Sequence, residues 1–104
     1  MENEQLIPAD ALCAQYNIEY AFIRSLQDYG LVEIVTVEDR CFLHPEQLLE
    51  VERYIHFHYD MDINLEGIEV ISRLLGRIRT MQRRLNLLQN RLHVYGEELP
   101  TGNR

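Results

Sequence analysis

Apolar residues recur along the last third of the chain at Ile71, Leu74, Ile78, Met81, Leu85, Leu88, Leu92 and Tyr95. The steps run 3-4-3-4-3-4-3, the a/d spacing of a heptad. That spacing lays one apolar seam along a helix and predicts that the helix pairs with another. Leu75 and Leu87 widen the stripe beside the seam. Asn64 is placed to cap this helix and Gly96 to end it. At 1.5 Å per residue, a helix from Leu65 to Tyr95 is about 46 Å long. That is longer than a head of this size can cover, which makes a second chain the expected partner of the seam.

The earlier residues show shorter periods. Leu12 and Tyr16, four apart after Pro8, predict a short first helix with Pro8 at its N1 position. Asn17 breaks it and can cap the next. Ile18 to Tyr29 is predicted as a second helix, with Tyr20, Phe22, Ile23 and Leu26 inward and Gly30 as its stop. Leu31 to Val37 alternates and is rich in β-branched residues, the mark of a strand. Glu38-Asp39-Arg40 turns, and Cys41-Phe42-Leu43 returns as a second strand. Pro45 opens a third helix over about Glu46 to His58, and Tyr59 to Ile63 connects it to the long helix. The order predicts a mainly α fold: a winged helix-turn-helix head with a small β-hairpin, then a long C-terminal coiled-coil helix. The expected division is a head over 1–63, a dimerisation helix over 64–96 and a flexible tail over 97–104.

Charge sharpens the picture. The protein has 104 residues and a net charge of −7, with no Lys, so every side-chain cation apart from histidine is Arg. Residues 1–70 carry fifteen acids against three Arg, whereas residues 71–95 carry six Arg and no acid. An acidic head repels phosphate backbones and attracts basic protein surfaces. With Ile71 as position a, Arg77, Arg84 and Arg91 fall at g, while e holds Leu75, Gln82 and Gln89. In an antiparallel pair the g edges meet, so these Arg would confront their copies. The expected relief is the acidic third helix of the other subunit, at Glu46, Glu50 and Glu52.

Other chemistry is sparse. His56 and His58 are two apart and point to different sides of a helix, so they do not form a metal pair. No Gly-rich phosphate loop, nucleophile elbow or distinct carboxylate pair is present, so neither an enzyme nor a cofactor is expected. Cys13 and Cys41 sit among apolar neighbours and read as small core residues. No run of 18 apolar residues predicts a membrane span, and the acidic start has no apolar leader segment, so a cytoplasmic protein is expected.

The stretch Phe22-Ile23-Arg24-Ser25-Leu26-Gln27-Asp28-Tyr29-Gly30-Leu31 resembles the second helix of the MerR-type winged-helix family, Thr-Leu-Arg-Tyr-Tyr-Glu-x-x-Gly-Leu. Arg24, Gly30 and Leu31 match, and Ser25 and Leu26 replace the two tyrosines. Asp39-Arg40-Cys41-Phe42-Leu43 stands where DNA-binding members carry Gly-Tyr-Arg-x-Tyr, so most of the family's phosphate contacts are missing. Ile63-Asn64-Leu65-Glu66-Gly67-Ile68 and the Leu/Gln/Asn/Arg-rich coil after it are similar to the chaperone-modulator (CbpM-type) branch. The resemblance covers residues 6 to 95. It implies a small cytoplasmic homodimer that binds the J-domain of a DnaJ-like co-chaperone and restrains its stimulation of the Hsp70-class chaperone.

Under that reading the expected partner-binding residues are Glu19, Tyr20, Arg24, Gln27, Asp28 and Glu33, on the second helix and the first strand. Tyr20 and Tyr29 can serve as aromatic anchors or as core. Dimerisation falls to the a/d residues from Ile71 to Tyr95. The alternative function is a MerR-type DNA-binding transcriptional regulator, favoured by fold and disfavoured by charge, so nucleic acid is not the expected partner.

Overall fold

A computed structural model of the protein describes residues 5–95. The chain divides after Val70 into a head and an arm. The described head holds three strands and three helices: β1 Ile7–Pro8, α1 Ala9–Tyr16, α2 Tyr20–Asp28, β2 Ile34–Val37, β3 Arg40–Leu43 and α3 Leu48–Ile55. A single helix, α4, then runs from Leu65 to Val94. The expected fold class holds: mainly helical, with a small antiparallel sheet and a long C-terminal helix.

Each break between elements has a local cause. Asn17 adopts a left-handed conformation (φ 56°) and closes α1, and the Ile18 amide bonds back to the Cys13 carbonyl at 3.0 Å. Asn tolerates that conformation better than most residues. It does not cap α2 as expected; Glu19 holds that position, without a side-chain cap. Gly30 (φ 75°) ends α2 in a Schellman motif, with Leu31 N–H on the Leu26 carbonyl and Gly30 N–H on the Gln27 carbonyl, both at 2.9 Å. Glu38 and Asp39 both take positive φ, the two-residue hairpin turn whose twist suits the flanking strands.

Three elements differ from expectation. Pro8 sits at the N-cap of α1 and not at N1, because Ile7 and Pro8 first pair with Leu43 and Phe42. The hairpin thereby becomes a three-stranded sheet in the order β1-β3-β2. Pro is tolerated in such a short edge strand, which loses one donor at most. β2 begins at Ile34 and not Leu31, since Leu31 is held in the Schellman turn and Glu33 is clamped by a side chain. The Gln47 amide accepts from the Glu33 N–H at 2.8 Å and donates to the Glu33 carbonyl at 3.2 Å. The third helix is in three pieces: a 3-10 turn over Pro45–Gln47, α3, and a π-helical turn over His56–Asp60.

The head core gathers Ala9, Leu12, Phe22, Ile23, Leu26, Val32, Leu43, Val51, Tyr54 and Ile68. Ten buried residues make a small core, so each contributes a large fraction of the total stability. Ile68 is the contribution of α4, and the motif around it shows how it is delivered. The Asn64 side chain accepts from the Gly67 amide at 2.8 Å, an N-cap to N3 bond, as the sequence leads one to expect. Ile63 and Ile68 occupy the N′ and N4 positions of a hydrophobic staple, and Ile63 packs on the core that contains Ile68. A Cβ on Gly67 would lie 2.8 Å from Ile63 Cγ2 and 3.1 Å from Asn64 Oδ1. The glycine is therefore what lets cap and staple coexist in one turn.

This geometry separates two helical glycines. Ala has a helix propensity better than Gly by about 1 kcal/mol. Gly76, with open space around a built Cβ, should realise that gain as Gly76→Ala. Gly67→Ala should instead lower stability, because a β-branched methyl and a bonded amide must both move. Asn64→Ala should cost about 1 kcal/mol. Urea unfolding of the three variants reads these signs, and a stabilised Gly67→Ala would refute the cap-and-staple account.

Candidate protein interface

α2 is amphipathic. Phe22, Ile23 and Leu26 are buried, while Arg24, Gln27 and Asp28 are exposed on the opposite face. The spacing i, i+3, i+4 puts these three side chains together on one side of the helix. Glu33 is exposed too, and its backbone is fixed by Gln47. Gln27, Gly30, Leu31, Val32, Glu33 and Gln47 line one open groove of about 520 Å³. Four of the expected partner contacts (Arg24, Gln27, Asp28 and Glu33) thus sit on α2 or at the groove beside its C-terminal end.

The two tyrosines weighed as anchors or as core both bond through their hydroxyls within the head. The Tyr20 hydroxyl donates to Cys41 Sγ at 2.9 Å, and its half-buried ring packs on the core. With Asp10, Asp39, Arg40 and Cys41 it lines a smaller cleft of about 230 Å³. The Tyr29 hydroxyl donates to Glu66 at 3.0 Å. Both phenols are engaged within the head. Glu19 stands at the start of α2, where its N–H donates to the Tyr59 hydroxyl at 3.5 Å. Tyr59, which the sequence places in a connection, is 44 % exposed. In the aromatic run Tyr54-Ile55-His56-Phe57-His58-Tyr59, period alone does not say which ring faces out.

A family model described as a MerR HTH family regulatory protein matches residues 7–90. The chain belongs to the MerR helix-turn-helix family. Comparison with curated proteins and with solved structures gives no match. Within the MerR framework α1 and α2 form the helix-turn-helix and β2–β3 the wing. The wing tip here is Glu38-Asp39, two exposed carboxylates, and Arg40 lies over the Phe42 ring at 5.4 Å. No group of three or more His, Cys, Asp or Glu among the described residues is arranged to hold a metal. No helix among them is long and apolar enough to cross a membrane.

The arm presents its seam openly. Leu74, Ile78, Met81, Leu85, Leu88, Leu92 and Tyr95 are between 39 % and 77 % exposed, and Ile71 is half-buried. Leu87 and Val94, off the seam, are exposed as well. Arg73, Arg77 and Arg84 border a shallow groove over Gly76, Thr80 and Met81, and Arg84 and Arg91 border another over Leu87 and Leu88. Of the acids expected to face the Arg edge of another copy, Glu50 lies 3.8 Å from Arg53 and accepts from Tyr54 at 3.2 Å, and Glu52 accepts from Tyr16. Gly96 and the tail over 97–104 lie outside the described residues.

Three phenols share a pH consequence. Tyr16 is held protonated above its ordinary value by its hydrogen bond to Glu52, Tyr20 by its bond to Cys41 (opposed by Arg24) and Tyr29 by its bond to Glu66; burial adds to each. Burial and then Asp10 push the Cys13 thiol up as well. In the unfolded chain a phenol ionises near about pH 10. Above that pH the unfolded chain releases protons that the folded head retains, so stability falls as pH rises past about 10. Below it the phenols contribute no pH dependence. Chemical unfolding between pH 8 and about 11 should show this decline, and the Tyr16→Phe/Tyr29→Phe double variant should flatten it.

Proposed function

We propose that this MerR-family chain is a homodimeric protein-binding modulator of a DnaJ-like co-chaperone, from the chaperone-modulator branch of the family. The J-domain is its target and inhibition its effect, and it has no catalytic role. The reading rests on one observation: the surfaces that a DNA-binding relative turns to phosphate are acidic here. α2 exposes one Arg beside Asp28, the strand leads in with Glu33, and the wing ends in Glu38-Asp39. A basic J-domain helix complements that surface, and steering by opposite charge speeds such an encounter. Arg24, Gln27, Asp28 and Glu33 form the polar contact set, with Glu19 at the N-cap of α2 and Tyr20, the first residue of that helix, at the same end. The exposed seam supports pairing of two arms through Ile71, Leu74, Ile78, Met81, Leu85, Leu88, Leu92 and Tyr95.

A second reading, a MerR-type DNA-binding transcriptional regulator, is favoured by the family match. Charge separates the two. Reversing Asp28 and Glu33 together (Asp28→Arg/Glu33→Arg) should weaken J-domain binding by roughly tenfold, about 1.4 kcal/mol, in calorimetry, with an unchanged fold by circular dichroism. Unchanged affinity would remove α2 from the interface. A gel shift with upstream DNA at about 150 mM salt should show no complex. A sequence-specific shift there would favour the regulator. Leu85→Arg should turn the dimer into a monomer in light scattering, since a charge in the seam is buried without a partner.

A further inference from the structure

One more surface of the head combines fixed geometry, apolar exposure and a single sign of charge. The π-helical turn His56–Asp60 closes with Met61 N–H on the His56 carbonyl at 3.1 Å. Such a turn carries one residue more than an α-turn and re-aims the side chains around it; π-turns recur at functional sites. Here His58 stacks on Phe22 at 4.7 Å, and Tyr59 meets Phe22 edge-on at 5.3 Å and His58 at 4.9 Å. Phe22 belongs to the core. His58 is held in turn by Nδ1 at 3.2 Å from the Ile63 carbonyl. The exposed Tyr59 ring is thus tied to the core through two ring contacts.

A ring already fixed in place loses little entropy when a partner covers it. Met61, two residues on along the chain, is 52 % exposed and supplies an adaptable thioether. The rim is acidic. Glu19, Asp60 and Asp62 are exposed, and no Lys or Arg occurs between residues 54 and 72. Asp60 lies 2.8 Å from His56 Nδ1, and Glu19 and Asp62 add two further exposed carboxylates to the rim. An apolar centre with a polar rim is the anatomy of a protein-binding hot spot.

We propose that Tyr59 and Met61 are the apolar anchors of the docking surface, and that they receive a helical protein segment carrying an apolar side chain flanked by Lys or Arg. The proposal rests on the protein-binding reading for its class of partner and adds the residues that hold it. It moves the centre of contact from the charged face of α2 to the start of that helix, where Glu19 meets Tyr59.

Two probes keep the proposal distinct from the reading it builds on: the J-domain, and a synthetic amphipathic Leu/Lys helix. Tyr59→Ala should weaken J-domain binding by roughly tenfold or more. Tyr59→Phe, which keeps the ring, should stay within about twofold. Met61→Arg touches no fixed ring and should lose binding to a comparable extent, so it decides the matter if Tyr59→Ala unfolds. A J-domain that binds every variant equally well overturns the anchor assignment and leaves the modulator reading standing. If the wild type does not bind the J-domain, that reading falls and the synthetic helix becomes the test. Loss of the helix in Met61→Arg then supports the surface; no binding, or equal binding to both proteins, overturns it.

Discussion

The head depends on one constraint: a core of ten buried residues among those described has to be completed by the first turn of α4. Ile68 is fully buried, and it arrives there because Asn64 caps the helix while Ile63 staples it. A Leu or Ile buried to that extent contributes about 1.5–3 kcal/mol as an upper figure. Against a typical total of about 5–15 kcal/mol, one such residue decides whether a domain of this size is folded. The long helix is therefore more than an appendage. Its start is a structural part of the head, and the Tyr29–Glu66 bond ties the end of α2 to the same turn.

That dependence explains which features were legible in the sequence. Gly30, Asn64 and the Glu38-Asp39 turn act within four or five residues, so their chemistry shows in the local string. The heptad shows because it repeats. β1 was invisible because Ile7-Pro8 is too short to have a period, and it exists only because β3 offers an edge. The π-turn was invisible because an added residue in a helix leaves an aromatic run looking helical. At the interface, the exposed face of α2 was legible from amphipathicity. The hydroxyl partners of Tyr20 and Tyr29 were not, since Cys41 and Glu66 are 21 and 37 residues away.

The same distinction bears on function. Family membership fixes the architecture of the head, and architecture alone is compatible with reading DNA or binding protein. The side chains on the presented surfaces are what discriminate. A wing tip of two carboxylates held at positive φ is an expensive way to make a turn that Asn-Gly forms easily. Two carboxylates at that tip repel phosphate and attract basic groups.

The arm poses the opposite problem, because residues 71–95 carry six Arg and no acid beside an exposed apolar seam, so pairing with a copy would bring like charges together. Magnitudes resolve it. Two Arg about 7 Å apart at a solvated edge repel by about 0.6 kcal/mol before screening and about 0.3 kcal/mol at physiological salt. An antiparallel pair would bring together three such contacts from Arg77, Arg84 and Arg91, a total near 1 kcal/mol. Eight seam residues per chain, each worth about 1 kcal/mol or more when covered, outweigh that several times over. The repulsion is therefore too small to prevent pairing, but it is large enough to bias orientation: a parallel pair faces Arg77 and Arg84 with Gln82 and Gln89 at no electrostatic cost. An antiparallel pair becomes preferred only where acid is brought to the Arg edge. The exposed carboxylate among those weighed for that role is Glu46, since Glu50 and Glu52 are engaged within their own head.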